Sequence, residues 1–136
     1  MQFVTDGYRI VPGTGAQLQA DAEFVVRVDP DATATVTVPI ADGSDVSSTV
    51  VKTDGGTLVL GGANTYSGGT RIDGGTLRIG ADNHLGTASR ALGLDTGTLN
   101  TTASIDPARA TTLQAGGGTF DTDAATTLTL GAAVGG

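Results

Sequence analysis

The sequence predicts an all-β chain folded as a right-handed parallel β-helix, a solenoid of about six rungs of 19–22 residues. Three observations carry this. Gly-Thr-Leu recurs at Gly56-Thr57-Leu58, Gly75-Thr76-Leu77 and Gly97-Thr98-Leu99, and Gly118-Thr119-Phe120 is a fourth copy. A regular period near 20 residues with turn glycines marks a stacked array, not a closed globular core. Within each copy the apolar residues alternate, as in Leu58/Leu60, Leu77/Ile79 and Leu128/Leu130, which is the pattern of a half-buried strand. Composition agrees: 22 of 136 residues are Gly, 15% are charged and there is no Trp. Gly and the abundant Thr are poor helix formers. The glycines have no three-residue period and Pro is only 4, which excludes collagen. With 38% apolar residues the chain is too hydrophobic for wholesale disorder.

Residues 1–50 lack the Gly-Thr-Leu signature but carry strand-like runs at 25–28 (VVRV) and 33–40 (TATVTVPI), bounded by Asp29-Pro30-Asp31 and Ala41-Asp42-Gly43 turns. Stepping back from Leu58 by one period reaches Val38 and then Leu18. The expected interior column is therefore Leu18, Val38, Leu58, Leu77, Leu99 and Phe120, and a second runs through Val28, Val50, Ile72, Leu94, Leu113 and Val134. Six rungs at the usual strand spacing give a rod ~29 Å long. No domain boundary interrupts this pattern, so residues 1–136 read as one β-helix segment with a core repeat at 51–80. The glycine pairs at 55–56, 61–62, 68–69 and 74–75 are placed at bends, where Gly adopts positive φ at little steric cost. Asn64 lies in a bend where its amide can bond exposed backbone, and Tyr66 is expected to pack over a strand with its hydroxyl at the surface.

The segment Val51 to Gly80, VKTDGGTLVLGGANTYSGGTRIDGGTLRIG, resembles the autotransporter-associated β-strand repeat. The specific signal is Asn64-Thr65-Tyr66-Ser67-Gly68-Gly69-Thr70 enclosed between two Gly-Gly-Thr-Leu strands. Residues 81–131 follow the downstream pattern more loosely, and residues 1–50 weakly. The resemblance implies a structural segment of a passenger domain, serving as stalk and aiding folding and secretion across the outer membrane of a Gram-negative bacterium. It implies a cell-surface or secreted location and a C-terminal outer-membrane β-barrel as partner. After Met1 there is neither a basic n-region nor an apolar h-region, and this chain carries no barrel, so the sequence reads as an internal fragment of a longer passenger. The alternatives are an adhesin face that binds glycans or host proteins and, less favoured, a polysaccharide-active enzyme.

Charge and residue types bound the chemistry. Seven basic against fourteen acidic residues give a net charge of −7, the wrong sign for nucleic acid. No run approaches the ~20 apolar residues of a membrane-spanning helix. Without Cys there is no thiolate metal site or cysteine nucleophile. His84, the one histidine, sits in a turn-like stretch as a solvated loop residue, and the nearest nucleophile candidate is Ser89, outside any Gly-x-Ser-x-Gly elbow. Asp29/Asp31 and Asp121/Asp123 share a strand face at i, i+2, a geometry used by calcium sites and carboxylate pairs, but the same spacing is common in acidic turns. The Thr-x-Thr runs at 33–37 and 127–129 do not recur at the rung period and read as exposed strand threonines. The expectation is a chain that is not an enzyme, with no catalytic, cofactor-binding or metal-ligating residue. Its terminal rungs expose unpaired strand edges, so end-to-end self-association, chiefly through residues 126–136, is expected.

Overall fold

The computed structural model describes residues 1–136 and winds them into a parallel β-helix. The first rung holds β1 (Gln2–Phe3), β2 (Tyr8–Ile10) and β3 (Leu18–Ala20). The second holds β4 (Glu23–Val28), β5 (Thr33–Val36) and β6 (Ile40–Asp42). The third is β7 (Thr49–Thr53) and β8 (Thr57–Leu60); the fourth is β9 (Gly69–Ile72) and β10 (Thr76–Ile79), followed by a short 3-10 helix at Asp82–Leu85. The fifth is β11 (Leu92–Leu94) and β12 (Thr98–Thr101); the sixth is β13 (Thr111–Leu113) and β14 (Thr119–Thr122), and β15 (Val134–Gly135) starts another turn. All pairings are parallel. One sheet runs β1-β4-β7-β9-β11-β13-β15 and the second β14-β12-β10-β8-β5-β2. The third side is a strand pair only at β3-β6, and farther along it is irregular apart from an Ile105–Leu128 bridge.

The Gly-Thr-Leu register holds. Leu58 pairs with Leu77, Leu77 with Leu99 and Leu99 with Phe120. The three leucines are fully buried, and Phe120, on the last rung, is partly buried against them. Burying each such leucine contributes roughly 1.5–3 kcal/mol. Upstream the column differs from the expectation. Ala34, not Val38, lies under Leu58, and Tyr8, not Leu18, lies under Ala34. The first rungs are longer because they carry an extra strand on the third side, where Leu18 pairs with Ile40 instead. In the first sheet Ile72, Leu94 and Leu113 stack as expected. Below Ile72, however, lie Lys52 and Val26, while Val50 and Val134 belong to the parallel file that runs Phe24, Val50, Thr70, Leu92, Thr111 and Val134. Val28 lies outside both files and pairs with Phe3.

The corners correct the glycine reading. Of the eight paired glycines only Gly69 and Gly75 have positive φ. The left-handed residue at the corner between the two main sheets is Asp31, Asp54, Gly75, Thr96 and Gly117 in successive rungs. In the other Gly-Thr-Leu/Phe copies, at Gly56, Gly97 and Gly118, the glycine serves instead for close approach, while Gly75 does both. A Cβ on Gly56 would run into the Asp29 carbonyl and the Val28 side chain of the rung below. Thr57, Thr76, Thr98 and Thr119, each just after that glycine, stack in one file with Thr33 of the second rung, alternating in each strand with the buried interior column. This recurrence, at one position per rung, was hidden by reading threonines as Thr-x-Thr pairs.

Candidate functional site

No concave pocket opens on the solenoid surface, and no group of three or more His, Asp or Glu side chains is placed to hold a metal ion. Its distinctive chemistry is a set of buried polar side chains in and around the repeat, bonded to backbone or, for Tyr66, to the Thr70 hydroxyl. Asn64, 5% exposed, lies on the third side of rung three, where no strand supplies regular pairing. Its Oδ1 accepts the Ile40 N–H from the rung below at 2.8 Å, and its Nδ2 donates to the His84 carbonyl of the rung above at 2.6 Å. One amide thus joins three rungs, as its place in a bend implied.

Lys52 occupies an interior position of β7, in register with Ile72 and fully buried. Its ammonium donates to the Thr53 and Asp54 carbonyls of its own corner, each at 2.7 Å, and to the Gly74 carbonyl of the next rung at 3.2 Å. Burial pushes this amine down to about 8, with the Asp54 charge opposing. Alternation along the strand marks position 52 as inward, but a lysine there reads as outward from composition alone, and the sequence reading missed it.

Tyr66 also departs from expectation. It is fully buried; its hydroxyl shares a 2.7 Å hydrogen bond with Thr70 Oγ1, and that threonine donates to the Leu85 carbonyl at 3.0 Å. Burial raises the phenol far above its ordinary range. The irregular third side leaves room beneath the loop for one ring, and Gly86 (φ +75) lies against it so closely that a Cβ would sit 2.6 Å from Tyr66 Cε2.

His84 is half-buried on the 3-10 helix and not a freely solvated loop residue. Its Nδ1 accepts the Gly80 N–H at 3.2 Å. Burial lowers its pKa, with a smaller opposing contribution from the Leu60 backbone. Ser89 is exposed and makes no hydrogen bond with it. The second buried charge is Arg109, reaching back from the end of rung five. Its guanidinium pairs with Asp82 through Nε–Oδ1 at 2.7 Å and Nη2–Oδ2 at 3.0 Å. It also donates to the carbonyls of Asp82, Leu85, Gly86, Thr87 and Arg90.

The aspartate pairs are likewise in protein contacts. Asp123 pairs with Arg78 at 2.6 Å, Asp121 accepts from Asn100 Nδ2 at 2.8 Å, and Asp29 accepts from Gln2 at 3.1 Å. Asp31 supplies a left-handed corner. Asp42 fastens the other flank of the repeat, accepting the Ser48 and Ser67 N–H groups and the Ser67 hydroxyl. Partial burial works to raise this carboxyl, and those hydrogen bonds together outweigh it and hold it below the usual aspartate range.

Buried polar groups spent on joining rungs, with no cavity beside them, define a structural solenoid segment built around a rung-clamping repeat. Residues 50–79 match the passenger-associated-transport-repeat family, which bears out the resemblance seen at 51–80. Over its whole length the chain is 45% identical, across 140 aligned residues, to the adhesin BmaC autotransporter of Brucella suis biovar 1 (strain 1330), and it spans 4% of that protein. No solved structure matches it. Residues 50–79 of this parallel β-helix therefore carry a repeat of the passenger-associated-transport type.

Proposed function

We propose that this chain is one structural segment of a longer passenger domain, a stalk and folding scaffold that helps its parent cross the outer membrane of a Gram-negative bacterium to the cell surface. The observation that carries this reading is where the repeat spends its buried polar groups. Lys52 and Asn64 bond to carbonyls and amides of neighbouring rungs, and Tyr66 with Thr70 ties down the loop that follows. Such contacts raise coupling between repeats, the term on which solenoid stability depends. In this reading the segment is not an enzyme, and its partner in the parent protein is a C-terminal β-barrel. No helix here is long and apolar enough to cross a membrane.

The test is a full-length parent carrying this segment, with Asn64→Leu or with residues 50–79 deleted. Surface display of the passenger, read by external protease, should fall while barrel insertion stays normal. Unchanged display would overturn the scaffold reading. Normal display with lost adhesion would favour the adhesin alternative, for which the outer threonine file of the second sheet is the place to look.

The end-to-end association belongs to the same reading. Leu113, Phe120 and Leu128 are only partly covered on the last rung, and Val4, Tyr8 and Val11 are exposed on the first, which is more apolar than its Asp6, Arg9 and Pro12 imply. Sedimentation should show larger species as salt screens the −7 charge. A strict monomer at high concentration in both low and high salt would dismiss it.

A further inference from the structure

The basic side chains divide by what holds them. Lys52 and Arg109 are buried. Arg27, Arg71 and Arg78 pair with carboxylates and lie on β4, β9 and β10, strands bonded to a neighbour on each side. Arg9 has no ion pair but lies on β2, in register with β5. Arg90 alone belongs to no strand and no ion pair. An arginine-specific serine protease takes its target as an extended strand, with the guanidinium free to enter a pocket that ends in a carboxylate.

The chain around Arg90 suits that demand. Ala88, Ser89, Arg90 and Ala91 are consecutive exposed residues between the buried Gly86 and Leu92. Their main chain is lightly held. The Arg90 N–H donates within its own turn to the Thr87 carbonyl at 3.2 Å, and the Ala91 carbonyl accepts from the Thr70 N–H at 3.4 Å. The Arg90 carbonyl accepts from Arg109 Nη1 at 3.3 Å. Thr87 Oγ1 is buried without a partner, so opening the turn gives that hydroxyl to water and recovers part of the cost. Drawing out Arg27, Arg71 or Arg78 would instead break ladder bonds on two sides and strip the core.

The same geometry retains the products. Hydrolysis breaks the C–N bond between Arg90 and Ala91. Water supplies a hydroxyl to the Arg90 carbonyl carbon and a proton to the Ala91 nitrogen, leaving a carboxylate and an ammonium. That carboxylate forms where Arg109 Nη1 already donates, so a neutral acceptor becomes an anion beside a buried cation and the bond strengthens. Arg109 lies beyond the cut in sequence, while the Asp82, Leu85, Gly86 and Thr87 groups that it holds lie before it. The β9–β11 and β10–β12 ladders cross the same break.

We propose that Arg90–Ala91 is a processing site for an arginine-specific serine protease, cut in the folded chain to leave residues 1–90 and 91–136 joined through Arg109 and the two ladders. The site stands whether or not the segment serves as a stalk.

The test treats the folded 136-residue chain with a low ratio of trypsin and reads the products by mass spectrometry and native size exclusion. The first products should be 1–90 and 91–136, eluting together at the position of the uncut chain and separating only in denaturant. Arg90→Gln should lose this cut and slow the first cleavage by about tenfold or more, because the remaining sites are reached only through larger openings. In the nicked chain the Arg90 carboxylate, followed by carbon-13 NMR, should titrate below the ordinary α-carboxyl range. A first cut at Arg9 or at a strand arginine, or an unchanged rate in Arg90→Gln, would overturn the site. Pieces that part without denaturant, or a carboxylate titrating in the ordinary range, would overturn their retention by Arg109.

Discussion

Arg109→Met removes the centre of the loop that follows the 3-10 helix. The Arg109 side chain is 0% exposed and its pair Asp82 26%. Taking away one partner of a buried, hydrogen-bonded ion pair usually costs about 3–5 kcal/mol, because the other charge is stranded. Asp82 retains some access to water, which argues for the low end. Five carbonyls, however, lose a donor together, and Asp82, Gly86 and Arg90 are joined to this guanidinium directly, while Asn64 at the His84 carbonyl and Thr70 at the Leu85 carbonyl hold the loop only on its inner side. A loss of about 3 kcal/mol is a large share of the 5–15 kcal/mol typical of a domain, and at this chain length it lowers Tm by about 10 °C. Solenoids can open locally, so melting by circular dichroism should be paired with residue-resolved amide exchange. Exchange should accelerate most at Leu85, Thr87 and Leu92 and least at Val59 in rung three. Arg109→Lys keeps the charge but not the planar fork and should recover less than half of the loss. A Tm within about 2 °C of wild type, which is well under 1 kcal/mol, with unchanged exchange in 82–92, would refute the assignment of Arg109 as organiser of this loop.

Two further outcomes follow from the geometry. The Lys52 amine sits at about 8 in the folded chain against an ordinary 10.5. Below pH 8 both states carry the proton and the folded state bears the full burial penalty; between 8 and 10.5 the unfolded chain binds more protons, so stability rises with pH by about 3 kcal/mol. The raised Tyr66 phenol acts oppositely, since unfolded tyrosine ionises above about 10, so stability should peak near pH 10. Chemical denaturation from pH 7 to 10 checks this, and a slope that survives in Lys52→Met would assign it elsewhere. Gly97→Ala should cost more than Gly117→Ala, because a Cβ on Gly97 falls 2.6 Å from the Ile72 carbonyl oxygen and against its side chain, while Gly117 (φ +71) has open space around it. The expected losses are about 2–3 kcal/mol from overpacking and about 1 kcal/mol from the left-handed backbone. Equal losses in urea titrations would mean that conformation, not contact, fixes the Gly-Thr-Leu glycine.

The parallel β-helix was legible because its determinants are periodic. Leu58, Leu77 and Leu99 repeat with a glycine and a threonine beside each, and stacking identical rungs puts like on like. The reading failed where the period changed. Ala34 replaces a leucine and the second rung is longer, so a step of 20 residues from Leu58 landed on Val38, four residues late. It failed differently at Lys52, Tyr66 and Arg109. Each looks like a surface residue by type, and each is buried because a particular corner or loop of another segment brings carbonyls or a hydroxyl to meet it. Only in the fold do those partners come together: Arg109 binds carbonyls 19 to 27 residues upstream. Asn64 was partly legible, since an asparagine in a bend advertises backbone bonding, though not which two rungs it would join.

The same contrast explains why a structural repeat has a recognisable signature at all. Interior aliphatic positions tolerate exchange among Leu, Ile and Val at modest cost, so even where a leucine repeats they mark a strand more than a particular repeat. A polar group buried between rungs has no such freedom, because losing its partner costs the full desolvation of what remains. Asn64, Tyr66 and Thr70 are therefore fixed by inter-rung and loop contacts in the way catalytic residues are fixed by a substrate. A signature of this kind, with conspicuous polar residues and no pocket beside them, reports coupling between neighbours. In a solenoid each rung gains stability mainly from the rungs it touches. One strongly coupled repeat therefore stabilises the less regular turns on both sides of it: the aliphatic second rung below, whose Ile40 amide Asn64 caps, and the fourth-rung loop above, whose His84 carbonyl it holds.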